Sequence, residues 1–228
     1  MFRKNPDSHH DHSHAHNELD EALELTHSRP GRKKLLVAGL VNFGLMGTAG
    51  AVALKSGSQP TVVEAIHDFG DTMYYLVPWT ATIRHQLNSE RATRWMKRTA
   101  YFAAGLASLS MASNLYDSAQ DQQTSPAPYS APAQASFALI NGGVAVYLGK
   151  KPGSTNIDKS ALRHAKTDAA TSLMAGVFNT AALAVPILNP IGAVVVGGMT
   201  IGTEQRNIRD ANISLAHPIH SDEDTAAE

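Results

Sequence analysis

Apolar positions along the chain gather into six blocks separated by short charged or proline-rich segments. Residues 35–54 have only Asn42 and Thr48 as clearly polar members. At about 1.5 Å per residue this block would span about 30 Å as a helix, the thickness of a bilayer's hydrocarbon core. Further blocks follow at residues 62–83, 99–116, 130–149, 161–185 and 187–203. The second is interrupted by Glu64, His67, Asp68 and Asp71, and the fourth is entered through Pro126, Pro128 and Pro132. The segment near 125–133 reads as an external loop, and Pro186 ends the fifth block. Valine runs such as 194–196 sit within glycine-rich apolar sequence rather than between turn signals, so no strand is expected. The pattern predicts an all-α membrane protein with six transmembrane helices.

Charge supplies an independent test of that count. With the N-terminus placed in the cytoplasm, eighteen of the 19 Lys and Arg residues fall on the cytoplasmic side. They lie in the tail up to Lys34, between the second and third blocks, from the end of the fourth block to the start of the fifth (Lys150 to Lys166), and after the sixth. Lys55 alone falls outside. Such sorting is the positive-inside signature and puts both termini in the cytoplasm. The organisation read from sequence is a His-rich cytoplasmic tail over 1–34, largely disordered, a six-helix domain over 35–203 and a short cytoplasmic tail over 204–228. A multi-pass protein of the cell (inner) membrane is expected, its surface in contact with the lipid bilayer.

Composition narrows the chemistry. Nineteen cations nearly balance 20 Asp and Glu, which gives no bulk charge for a nucleic-acid partner. No cysteine is present, so disulfides, thiolate metal sites and thiol nucleophiles are excluded. The mean hydropathy of −0.18 averages polar tails with an apolar middle and describes neither.

An ionisable group in a membrane span costs about 2.5–3.5 kcal/mol on insertion scales and therefore marks a functional site. His67 and Asp71 are four residues apart and share one helical face, and Glu64 belongs to that face as well. The fifth block repeats the spacing with His164 and Asp168. About 0.6 His-x-x-x-Asp matches are expected by chance in this composition. Four occur, counting His16/Asp20 and His220/Asp224 in the tails. Only the two pairs on predicted spans carry the cost that implies a use. Two imidazoles and two carboxylates form an N₂O₂ set suited to tetrahedral zinc; cadmium, cobalt and iron fit the ligand types as well, whereas Mg²⁺ and Mn²⁺ favour oxygen alone.

These residues, with Asn42, Asn114, Asn141 and Asn189-Pro190, resemble those of the cation diffusion facilitators, six-span divalent-metal/proton antiporters. The resemblance covers about Leu35 to Leu215. It implies that His67, Asp71, His164 and Asp168 form the transport site, that two His with two Asp belong to the zinc-preferring branch, and that the protein is a homodimer. It further implies a secondary active transporter, not an enzyme, with no prosthetic group. The substrate would be Zn²⁺, exported against protons by alternating access. Members usually carry a cytoplasmic metal-binding domain of about eighty residues after the last span. Here about 25 residues follow it, as expected of a short form.

Secondary roles follow from position. Glu64 is expected on the external side of the site, in a proton or exit path or as a carboxylate favoured by the helix dipole. Asp68 is expected to orient His67 or to line a water-filled cavity. His9, His10, His12, His14 and His16 would collect cytosolic metal near the pathway. Gly44, Gly47, Gly50, Gly198 and Gly202 would allow close helix approach. The alternative function is a non-transporting membrane metal-binding or regulatory protein.

Overall fold

The computed structural model describes residues 29–83, 89–120, 125–149 and 156–216. Six α-helices account for nearly all of them: α1 Arg29–Ser56, α2 Gln59–Ile83, α3 Ser89–Ala119, α4 Ser130–Gly149, α5 Asn156–Ala182 and α6 Leu188–Ala216. No strand occurs among the described residues. The even number of crossings brings the start of α1 and the end of α6 to one end of the bundle, the terminal end. The α1–α2, α3–α4 and α5–α6 connections lie at the other, the far end.

The α1–α2 corner is tight because of one glycine. Gly57 follows the last turn of α1 with φ 67° and donates its N–H to the Ala53 carbonyl at 3.0 Å. That left-handed position is the usual glycine helix stop. Three residues later Pro60 sits in the first turn of α2, where its missing N–H costs nothing. Residues 125–129 form the described part of the next far-end loop, and Ala127 N–H bonds to the Ser56 carbonyl at 2.8 Å. The proline-rich stretch expected as loop up to 133 turns helical at Ser130. α5 stops at Ala182, three residues short of the apolar block, where Leu183 to Ile187 turn around Pro186. α6 instead continues to Ala216, well beyond the apolar block that ends at 203. Hydropathy marks the lipid-facing length of a helix, and an amphipathic extension beyond it is invisible to that measure.

α2 is the hub: it packs against α1, α3, α5 and α6, while α3 pairs with α6, α4 with α5 and α1 with α4. The bundle has polar groups inside and apolar groups outside. Glu64, His67, Asp68, Asp71, Asp168 and Glu204 are buried, whereas Leu54 is 90% and Leu139 78% exposed. In water this arrangement would leave large apolar patches wet; in lipid it is the expected one. Among the described residues, only the Lys33–Ser56 helix is apolar enough by length and composition alone to cross a membrane. α2 is interrupted by Glu64, His67, Asp68 and Asp71, all of them buried.

Close helix approach occurs at glycines other than those singled out from sequence. A Cβ on Gly44, Gly47, Gly50, Gly198 or Gly202 would meet nothing within 4 Å. These faces point away from the bundle. The close contacts are at Gly39 against Leu76, Gly70 against the Glu204 carboxylate, Gly192 against Phe178 and Gly197 against Met111.

Candidate metal centre

α2 delivers His67 and Asp71 from one face, and α5 delivers Asp168 from the facing side. The α2 positions are about 12–18 Å in from the far end at the helical rise. His67 Nε2 lies 3.4 Å from Asp71 Oδ2 and 3.4 Å from Asp168 Oδ1, with all three side chains at 0–2% exposure. One ligand atom from each falls within 4.8 Å of the others. Neither imidazole nitrogen makes a hydrogen bond among the described residues. A nitrogen held between two carboxylate oxygens without a hydrogen bond has the spacing of ligands around an ion. For bonds of about 2.0 Å, the edge of a tetrahedron is about 3.3 Å.

His164 lies on α5 one turn before Asp168, the spacing that puts both on one helical face. Its side chain is outside the described residues, as are those of His9, His10, His12, His14 and His16. The structure therefore brings together His67, Asp71 and Asp168 of the four residues singled out from sequence.

Glu64 is fully buried in the second turn of α2, past the first turn where the dipole would favour it most. Its Oε1 accepts a short hydrogen bond from the Ser172 hydroxyl, and Ser172 accepts from Asn141 Nδ2 at 3.3 Å. Its Oε2 has no partner among the described residues. Asp68 is equally buried, and neither carboxylate oxygen makes a hydrogen bond among them. No hydrogen bond joins it to His67, whose Nδ1 has none among the described residues either. Unpaired buried oxygens of this kind are costly unless they meet a cation, a proton or water.

Several residues were not legible in the block pattern. Ser172 stands four residues after Asp168, and a polar side chain at that spacing in an apolar span was the available signal. Glu204, 1% exposed, lies just beyond the sixth apolar block and rests on the α2 backbone at Gly70, next to Asp71. Its Oε2 accepts from Asn207 Nδ2 at 3.1 Å. Asp210 joins these two in lining a small pocket between α2, α3 and α6.

The inverted bundle and its central acidic cluster define a membrane protein that handles metal cations. Residues 35–215 match the cation efflux transmembrane domain, and the chain belongs to that family of divalent-cation transporters. No curated protein matches the chain. Its membership makes it a transporter rather than an enzyme.

Proposed function

We propose that this protein exports zinc from the cytoplasm in exchange for protons, through a site built from His67, Asp71, Asp168 and His164. The observation that carries the reading is the pair of 3.4 Å separations between His67 Nε2 and a carboxylate oxygen on either side. Nitrogen in the donor set favours zinc, with cadmium, cobalt and iron as competitors, over magnesium and manganese.

The same groups explain proton coupling. An imidazole must be neutral and a carboxylate ionised to ligate, so protons and Zn²⁺ compete for one set of atoms. Facing near-neutral cytoplasm, the site loses protons and takes the ion. Facing a more acidic exterior, it regains protons and releases the ion. Rocking of the bundle between the two states completes the cycle, and Glu64 and Asp68 serve the proton or exit path. The distribution of Lys and Arg supports cytoplasmic termini, and we place the protein as a homodimer in the cell (inner) membrane. The His9–His16 tract would raise the local zinc concentration at the cytoplasmic mouth.

The test is zinc uptake by liposomes carrying the purified protein under an imposed pH gradient. Zinc flux is expected to follow the gradient, with manganese transported far less. Asp168→Ala is expected to reduce flux to background while the protein still inserts. Full zinc flux in that variant would refute the site, and zinc binding without any flux would refute the exporter.

A further inference from the structure

Ser58, Thr61 and Asn179 close a hydrogen-bonded ring at the far end of the seam between α2 and α5. Ser58 Oγ donates to Asn179 Oδ1 at 2.6 Å, and Asn179 Nδ2 donates to Thr61 Oγ1 at 3.1 Å. The two hydroxyls are 2.6 Å apart. A hydroxyl has one proton, and that of Ser58 is committed to Asn179, so the Thr61 hydroxyl must donate back to Ser58. Gln134 Nε2 of α4 adds a further bond to Thr61 Oγ1 at 3.0 Å. Thr61 thereby donates once and accepts twice, and all four side chains are fully buried.

The ring does not stand alone. Ser58, just before α2, and the α2 positions 61, 64, 67/68 and 71 form one polar stripe at helical spacing. On α5 the positions 168, 172 and 179 form another. The two stripes face each other from the Asp71–Asp168 level, past the Glu64–Ser172 bond, to the ring. Beyond the ring come only the α1–α2 corner and the far end of the bundle. On the terminal side of the ion site, Tyr74, Tyr75 and Ala165 belong to one hydrophobic cluster.

We propose that Ser58, Thr61, Asn179 and Gln134 are the far-side gate of the ion pathway, closed in this structure and hydrated when the protein opens outward. The proposal rests on the exporter reading. Mere attachment of helices would need no polar stripe running from the ring to the ion site. A polar closure also has a specific advantage at a gate. Opening it exchanges protein hydrogen bonds for bonds to water at small net cost, whereas opening an apolar seal exposes hydrocarbon. Gln134 Oε1, buried and without a hydrogen bond among the described residues, is an acceptor that water would satisfy in the open state.

Thr61 is the place to test it. Thr61→Val keeps the shape but leaves Gln134 and Asn179 donors unpaired in the closed state only, since water serves them in the open state. The balance shifts outward. The chain has no cysteine, so Ser172→Cys is a single reporter between gate and ion site. Modification by a membrane-impermeant thiol reagent is measured from each face of the membrane, with the reagent applied to intact cells or to inverted vesicles. From the far side, Thr61→Val and, separately, Ser58→Ala are expected to speed modification at least about tenfold. The rate from the terminal side is expected to fall or stay the same, and Thr61→Ser is expected to restore the original far-side rate. An unchanged far-side rate in both variants overturns the gate. So does a rise from both faces, which would mean that the ring only holds the fold together. Zinc flux is read separately: loss of flux in the unsubstituted protein would remove the exporter reading without altering the labelling result.

Discussion

His67 differs from an ordinary buried histidine in what surrounds it. Buried imidazoles usually donate one N–H to a fixed acceptor; here Nε2 faces carboxylates from two helices and Nδ1 has no hydrogen bond among the described residues. The nitrogen supplies the soft character of the donor set, and without it the described cluster is all oxygen. His67→Asp is therefore expected to lower zinc affinity by more than the roughly 10–100-fold that outer-shell changes cost. Manganese affinity should fall less, so the zinc-to-manganese ratio of dissociation constants should move at least about tenfold toward manganese. Calorimetric titration of both metals checks this; an unchanged ratio would show that His67 does not set selectivity. Sequence made His67, Asp71 and Asp168 legible because charge in a span is expensive. Ser172 and Thr61 were not, because single hydroxyls in apolar helices are common and cheap.

At the scale of elements, glycine placement decides how α2 meets its neighbours. A Cβ on Gly70 would occupy the space of the buried Glu204 carboxylate, which would have to move off α2. Gly70→Ala is expected to destabilise the protein by about 1–3 kcal/mol, the usual cost of overpacking. Gly44→Ala should stay within about 0.5 kcal/mol, because nothing lies within 4 Å of the added methyl. Thermal unfolding of both variants in detergent separates them, and equal midpoints would contradict the α2–α6 contact. From sequence the two glycines look alike. Only a neighbour distant in the chain distinguishes them. The helices themselves were readable, since periodic apolar blocks and proline stops are local signals, but the extension of α6 to Ala216 lay beyond the apolar block.

For the whole molecule, the ion cluster and the proton response are one property. Zinc binding needs deprotonated ligands, so affinity should weaken steadily as pH falls through the range where carboxylates and imidazole bind protons. The sign is fixed by competition: each proton taken up removes a ligand. Zinc binding measured between pH 8 and pH 5 (values on the order of the unperturbed histidine and carboxylate range) should lose at least about tenfold in affinity. A flat profile would separate metal binding from protons and leave the pH gradient without a means of driving export.

The sequence by itself determined the class of molecule, because those signals are local. A bilayer sets the length of each apolar block, the translocating membrane sorts the cations, and a charged side chain inside a span stands out against its neighbours. Tertiary structure decided which of those charges meet. His67 and Asp168 are about a hundred positions apart, and no periodicity in either helix states the rotation and depth at which α2 and α5 face each other. The same packing placed Glu204 on Gly70 and joined Ser58, Thr61 and Asn179 into a ring. Hydrogen bonds between distant helices depend on side-chain packing of the whole bundle, and that packing is not encoded in any one segment.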